Sequence, residues 1–320
     1  MTKKVLLALQ VFVLITALLP CCHVYAKDGS LATRTIAPVI STDWLAANSG
    51  LKDLVIIDMR SGALYRAGHI PKAINIPFDR YVSVWITQRD KLDIEVPDEA
   101  DLLKVIGSAG IKGDSRVVIV NDPFPTDPKT PPTYPRSYAT RVANTLIWAG
   151  VKNVAVLDGG QTKWVKEGRT LSKDIVTPMP VTYRGEVNRA ILVSRHYVKE
   201  HIGKAVIIDA RKPEDYFGAT VNPIAAKAGH IPTAKSLPTP WLWNEKDGTY
   251  KPKDVLEKMA IGVVGKDKSK EIIVYCGTGN NASGWWFVLT QMLGYDNVKF
   301  YDGSSQEWVR YYDMVPYQWD

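Results

Sequence analysis

The sequence predicts two tandem α/β domains, each a largely parallel sheet flanked by helices on both faces, and three observations carry that expectation. First, 320 residues exceed the size at which one hydrophobic core keeps growing, so two domains of about 100 to 150 residues are the natural division. Second, the chain repeats itself. Val55-Ile56-Ile57-Asp58-Met59-Arg60 returns as Val206-Ile207-Ile208-Asp209-Ala210-Arg211, and Ala67-Gly68-His69-Ile70-Pro71 returns as Ala228-Gly229-His230-Ile231-Pro232. Third, in each copy short β-branched apolar runs alternate with helical stretches, the pattern of strands buried on both faces.

Taken in order, residues 1–26 read as a secretory leader. Lys3 and Lys4 precede an apolar run from Val5 to Leu19, and Val24-Tyr25-Ala26 offers a small-residue cleavage signal. The mature chain is therefore expected to be exported, periplasmic or secreted. Leu18-Leu19-Pro20-Cys21 loosely resembles a lipobox, so a lipoprotein anchored through Cys21 or Cys22 is the alternative, and membrane attachment follows only in that case. An uncleaved amino-terminal anchor is the bland reading.

The first domain is assigned to 37–171, a linker containing Pro178 and Pro180 to 172–188, and the second domain to 189–320. The two copies continue to match at Val117 to Asn121 against Ile272 to Cys276. They close with Asp158-Gly159-Gly160 and Trp164 against Asp302-Gly303-Ser304 and Trp308. Asp122 to Pro135 holds six prolines and is expected to be one long loop. In the second copy, Ser194 caps a helix, Ala205 to Ile208 and Ile272 to Tyr275 form strands, and a helix runs from about Ala282 to Leu293 until Gly294 stops it.

Composition is that of a globular protein, with 46% apolar and 23% charged residues. The net charge of +7 is dispersed, without basic runs or interleaved aromatics, which argues against a nucleic-acid partner and supports at most a preference for small anions. Cys21 and Cys22 fall in the leader, so Cys276 stands alone in the folded part and cannot form an internal disulfide. An unpaired cysteine in an exported protein is a candidate reactive thiol, although a buried inert thiol is the commoner fate of free cysteines.

The segment Tyr275-Cys276-Gly277-Thr278-Gly279-Asn280-Asn281-Ala282 delivers that cysteine from a buried strand into a loop that opens a helix. Amide N–H groups converge there and the helix dipole is positive, so the position favours an anion and is expected to lower the thiol pKa. Gly277 and Gly279 let the backbone curl around the sulfur, and Thr278 adds a hydroxyl.

With the doubled Asp-x-Arg and Gly-His-Ile-Pro signals, this loop makes the whole mature chain resemble the two-domain rhodanese and 3-mercaptopyruvate sulfurtransferases. The resemblance implies an inactive first domain, with Asn121 at the nucleophile's place, and a catalytic second domain. It implies transfer of a sulfane sulfur from a small sulfur-containing anion, thiosulfate or 3-mercaptopyruvate, to a thiol or cyanide acceptor through a Cys276 persulfide, with no metal or organic cofactor. Cys-Gly-Thr-Gly looks like the loop of the mercaptopyruvate enzymes rather than the Cys-Arg-Lys-Gly type of the thiosulfate enzymes, whereas Asn280-Asn281 departs from both.

Arg211 matches an arginine that helps hold the substrate carboxylate in the mercaptopyruvate enzymes. Arg60 occupies the same place in the copy without a nucleophile, so a structural ion pair is an equal reading. His69 and His230 are read as turn-stabilising, Asp58 and Asp209 as structural, and of Trp285 and Trp286 one as core and one as a pocket wall. Two other functions share these features. A sulfur or selenium carrier, or a redox partner docking on another exported protein, needs the same cradle. A phosphatase or arsenate reductase needs a loop arginine to clamp its oxyanion, and none lies between Cys276 and Ala282.

Overall fold

The computed structural model describes residues 34–80 and 82–317, so the expected leader, with Cys21 and Cys22, lies outside the described residues. Among the described residues no helix is long and apolar enough to cross a membrane. The first half runs β1 (Val39–Ile40), α1 (Thr42–Asn48), β2 (Leu54–Asp58), α2 (Gly62–Ala67), β3 (Ile74–Asn75), the antiparallel pair β4 (Thr87–Arg89) and β5 (Leu92–Glu95), α3 (Glu99–Ser108), β6 (Arg116–Val120), α4 (Tyr134–Trp148), β7 (Asn153–Leu157) and α5 (Gly160–Lys166). The second half runs α6 (Arg195–Glu200), β8 (Val206–Asp209), α7 (Pro213–Phe217), β9 (Lys235–Ser236), α8 (Lys253–Val264), β10 (Ile272–Tyr275), α9 (Ala282–Phe287), β11 (Val298–Phe300) and α10 (Ser304–Trp308).

Each half is an α/β domain on a parallel sheet, as the sequence predicts. The strand orders are β1-β7-β6-β2-β3 and β11-β10-β8-β9, so β7, β6, β2 and β3 correspond in order to β11, β10, β8 and β9. Where the first sheet adds β1, the second has a single bridge from Leu192 to Phe300. The alternation of strand residues explains the two covered faces. On β6, Val118 and Val120 pack with Leu45, Tyr65 and Trp164 on the outer side, while Val117 and Ile119 pack with Leu102, Val142 and Leu146 on the other. That second core continues without a break into Ile208, Val274, Leu256 and Trp285 of the second half.

Several local expectations need correction. The proline-rich loop ends two residues early: α4 begins at Tyr134, with Pro135 in its first turn, where a missing N–H costs no hydrogen bond. The helix after Cys276 does not stay α-helical, since a π-turn covers Val288–Met292, where Thr290 Oγ1 bonds back to the carbonyl of Trp286. Both Trp285 and Trp286 are buried in the shared core, neither lines the cleft at the cysteine loop, and Trp286 Nε1 donates to Val298 O. The segment between the halves lacks helix or strand, yet it is held along the first half. Val181 N donates to Gly107 O, Tyr183 Oη to Ala149 O, and Asn188 N to Trp148 O.

The halves are clasped through a repeated device. Asp302 accepts the Val96 N–H that follows β5, and Asp158, its counterpart in the first copy, accepts the Tyr250 N–H. Between these clasps α4 lies along α9, with Thr140 Oγ1 2.7 Å from Ser283 Oγ and Asn144 Nδ2 donating to Ser283 O. Arg141 adds a buried ion pair to Asp302 and a bond to Ile94 O. Burial, and then the neighbouring Asp302 carboxylate, push the Glu95 carboxyl far above the usual carboxylate range, so it stays protonated beside the pair. Replacing Arg141 by Leu strands Asp302 as an unpaired buried charge, and urea denaturation should show a loss of about 3–5 kcal/mol.

Candidate active site

In an open parallel sheet, ligands bind beyond the carboxyl ends of the strands where the strand order reverses direction. From β8 the chain goes to β9 on one side and then to β10 on the other, so the crevice lies beyond β8 and β10. Cys276 follows directly on β10, and Arg211 follows two residues after β8.

Cys276 is 2% exposed and free. The backbone N–H groups of Ala282, Thr278 and Asn281 are directed at its sulfur and favour the thiolate. Thr278 thus contributes through its amide. Ser304 fixes the loop from behind: its Oγ accepts from both Cys276 N and Gly279 N and donates to Tyr301 O. Ser304 achieves this at a φ of 50°, a left-handed conformation that costs a side-chain-bearing residue about 1–2 kcal/mol. The first copy has Gly160 there. Ser305 completes the cradle, its N–H and Oγ both donating to Cys276 O.

The two loop glycines differ. Gly279 has a φ of 77°, and a Cβ on it would stand 2.6 Å from Asp302 Oδ1, so the residue is required. A Cβ on Gly277 meets nothing within 4 Å, so the expected need for glycine there is not met; its side opens on the cleft. Asn280 is buried, and neither of its amide atoms has a partner. Asn281 reaches across the halves instead, accepting at Oδ1 from Ser137 Oγ, while its carbonyl accepts from Thr239 Oγ1.

The expected acidic thiol is overturned. Burial pushes the Cys276 thiol up, the amides of Ala282, Thr278 and Asn281 oppose this, and the Asp209 carboxylate adds to the upward push. Desolvation is the largest of these effects, in keeping with a side chain only 2% exposed.

A cleft of about 350 Å³ reaches the loop at Gly277 and Asn281. Its second-half wall includes Arg211, Lys212, Glu214 and Asp215, and its opposite wall is Pro131, Thr133 and Tyr134 from the first half. Arg211 is largely committed to structure. Nε and Nη2 hold the Asp209 carboxylate, and Nη2 also donates to Gly229 O. Arg60 makes the same bonds to Asp58 and Gly68 O in the first half. Its Nη1 faces Asp122 at 3.8 Å, at the position that corresponds to Gly277, so the Arg211 side chain borders the cleft where Arg60 meets a carboxylate.

His69 and His230 are held in matching contacts. His69 Nδ1 bonds Tyr65 O and its ring stacks on Tyr65; His230 does the same with Tyr216. At the first copy's counterpart of the site, Gln161 N bonds Asn121 O as Ser305 N bonds Cys276 O. The space there shrinks to about 10 Å³, lined in part by Trp243, Gly248 and Tyr250 of the second half. Ser304 and Tyr134 escaped the sequence reading. Ser304 breaks the Asp-Gly-Gly pattern, a visible signal, whereas Tyr134 comes from the half that lacks the nucleophile.

The rhodanese-like domain model matches residues 41–167 and again 194–311. The chain belongs to the rhodanese family. The sulfur carrier protein TtuD of Thermus thermophilus is 33% identical over 286 residues, covering 84% of this chain and 93% of its own. A protein of Saccharopolyspora erythraea named as a candidate thiosulfate sulfurtransferase is 31% identical over 288 residues, covering 87% and 94%. Among solved structures, the 3-mercaptopyruvate sulfurtransferase SseA of Escherichia coli superposes with a TM-score of 0.66 at 26% identity, covering 84% of this chain and 99% of SseA.

Three outcomes follow from the loop. Ser304→Ala leaves the Cys276 and Gly279 amides without their acceptor and should cost about 1–3 kcal/mol in chemical denaturation. Ser304→Gly should cost less, because glycine meets that φ without strain. Because the thiol titrates above its ordinary 9.0, the rate of Cys276 alkylation by iodoacetamide should still be rising through pH 9.

Proposed function

We propose that the protein is a sulfurtransferase that accepts a sulfane sulfur on Cys276 as a persulfide and passes it to a thiol or to cyanide. One observation carries the reading: a lone sulfur lies under the amides of Thr278, Asn281 and Ala282, beside a cleft that opens at Gly277. The thiolate attacks the donor's outer sulfur, the S–S or C–S bond to the rest of the donor breaks, and the departing group takes the electron pair. The raised pKa makes the thiolate scarce at neutral pH, but a more basic thiolate is the stronger nucleophile, which offsets part of the loss.

The cleft sets Arg211, already paired with Asp209, and Lys212 against Glu214 and Asp215. That balance gives little help to a dianion such as thiosulfate and favours the singly charged 3-mercaptopyruvate as donor. The leader-like residues 1–26 support export, so acceptors would be thiols met outside the cytoplasm.

A second reading is favoured by the relative TtuD: the protein holds the persulfide for delivery to a partner protein and turns over small acceptors slowly. Both readings require that protein incubated with 3-mercaptopyruvate acquires one cyanolysable sulfur and that Cys276→Ser acquires none. Steady-state kinetics then separate them, since rapid turnover with a small thiol belongs to the enzyme and slow transfer from every donor to the carrier. A Cys276→Ser protein that still binds and transfers sulfur overturns both.

A further inference from the structure

The half without a nucleophile supplies one wall of the cleft, and one side chain on that wall carries chemistry of its own. Tyr134 opens α4 and borders the cleft together with Gly277 and Asn281 of the cysteine loop. Its ring is the end of an aromatic ladder: it packs against Tyr138 with centroids 6.0 Å apart, and Tyr138 stacks on Phe78 at 4.4 Å. The phenol is therefore held by first-half residues rather than left to swing. Its electrostatic neighbours are Arg80, Cys276 and Asp215, so it stands between the nucleophile, a cation of its own half and the acidic wall of the other. Burial pushes the hydroxyl's pKa up, with the Arg80 cation opposing, so it keeps its proton and remains a hydrogen-bond donor.

This inference rests on the persulfide reading above. The second step is the harder one electrostatically. An acceptor thiolate must attack the outer sulfur of a persulfide that is itself anionic, and two like charges in a partly desolvated cleft repel. In that step the acceptor's S–S bond forms, the S–S bond to Cys276 breaks, and its electron pair returns to Sγ. There the amides of Thr278, Asn281 and Ala282 receive the regenerated thiolate. Those amides are directed at Sγ, so an outer sulfur lying towards the cleft, which the loop borders at Gly277 and Asn281, needs a separate donor.

We propose that Tyr134 is that donor: its hydroxyl hydrogen-bonds the outer sulfur of the Cys276 persulfide and draws off charge so that an acceptor thiolate can attack. The first half is then a contributor to sulfur discharge rather than only a scaffold. Charge and atoms balance without further reagents, since the acceptor leaves as a persulfide anion and Tyr134 keeps its proton throughout.

The test is Tyr134→Phe in the full chain, which preserves the ring and its ladder and removes only the hydroxyl. Loading is followed by cyanolysable sulfur after mixing with 3-mercaptopyruvate, and discharge by single-turnover mixing of the loaded, desalted protein with a small thiol. Loading within about twofold of the unaltered protein, with discharge slowed about tenfold or more, is the expected result, in line with the loss of a hydrogen bond to a charged group. Discharge at the unaltered rate overturns the assignment, and so does an equal slowing of both steps, which marks a purely structural loss. If the unaltered protein never acquires cyanolysable sulfur, it is the sulfurtransferase reading that fails instead.

Discussion

The carboxylate of Asp302 is the point on which the two halves and the cysteine loop jointly depend. It sits on the turn after β11, accepts the Val96 N–H from the first half's crossing hairpin, and holds the Arg141 guanidinium from α4. Its Oδ1 also stands where a Cβ on Gly279 would fall, so the loop that curls around Cys276 is shaped against it. A buried ion pair of this kind contributes little net stability, because desolvating two charges cancels most of their attraction. Its geometry ties three elements to one point: the hairpin through Val96, α4 through Arg141, and the cysteine loop through the close approach of Gly279. Glu95, kept neutral by its surroundings, spares that junction a further negative charge.

The same framework is built twice and used differently. Both copies have the Asp-x-Arg pair at the end of the strand next to the central one, the stacked histidine after it, and the Asp-Gly clasp. The divergence lies in what the other half inserts. Tyr250 and Trp243 occupy the space beside Asn121, whereas the proline-rich segment ending at Tyr134 stands back from Cys276 and leaves a cleft. An open cleft and a close-packed counterpart are thus divided between the copies, and each is lined in part by the other half.

What the sequence made legible follows from the range of each interaction. The duplication, the strands that lead to Asp209 and Cys276, and the loop with its amides are local patterns, readable from spacing alone. Three features were not. The thiol's shift reverses because burial is set by everything that packs on the strand end, while the amide cradle is local. The clasps of Asp302 and Asp158 join residues more than ninety positions from their partners, and nothing in Asp-Gly-Gly announces them. Tyr134 comes from the half without the nucleophile, and sequence order conceals that α4 and α9 lie side by side.

The empty side of Gly277 has a consequence for how such a chain diversifies. A side chain at 277 would extend into open space beside the cleft, whereas one at 279 would strike Asp302. On the sulfurtransferase reading proposed above, selectivity for the charge of the incoming molecule is therefore separable from the capture of sulfur, and a single codon at 277 is the least disruptive place to alter it.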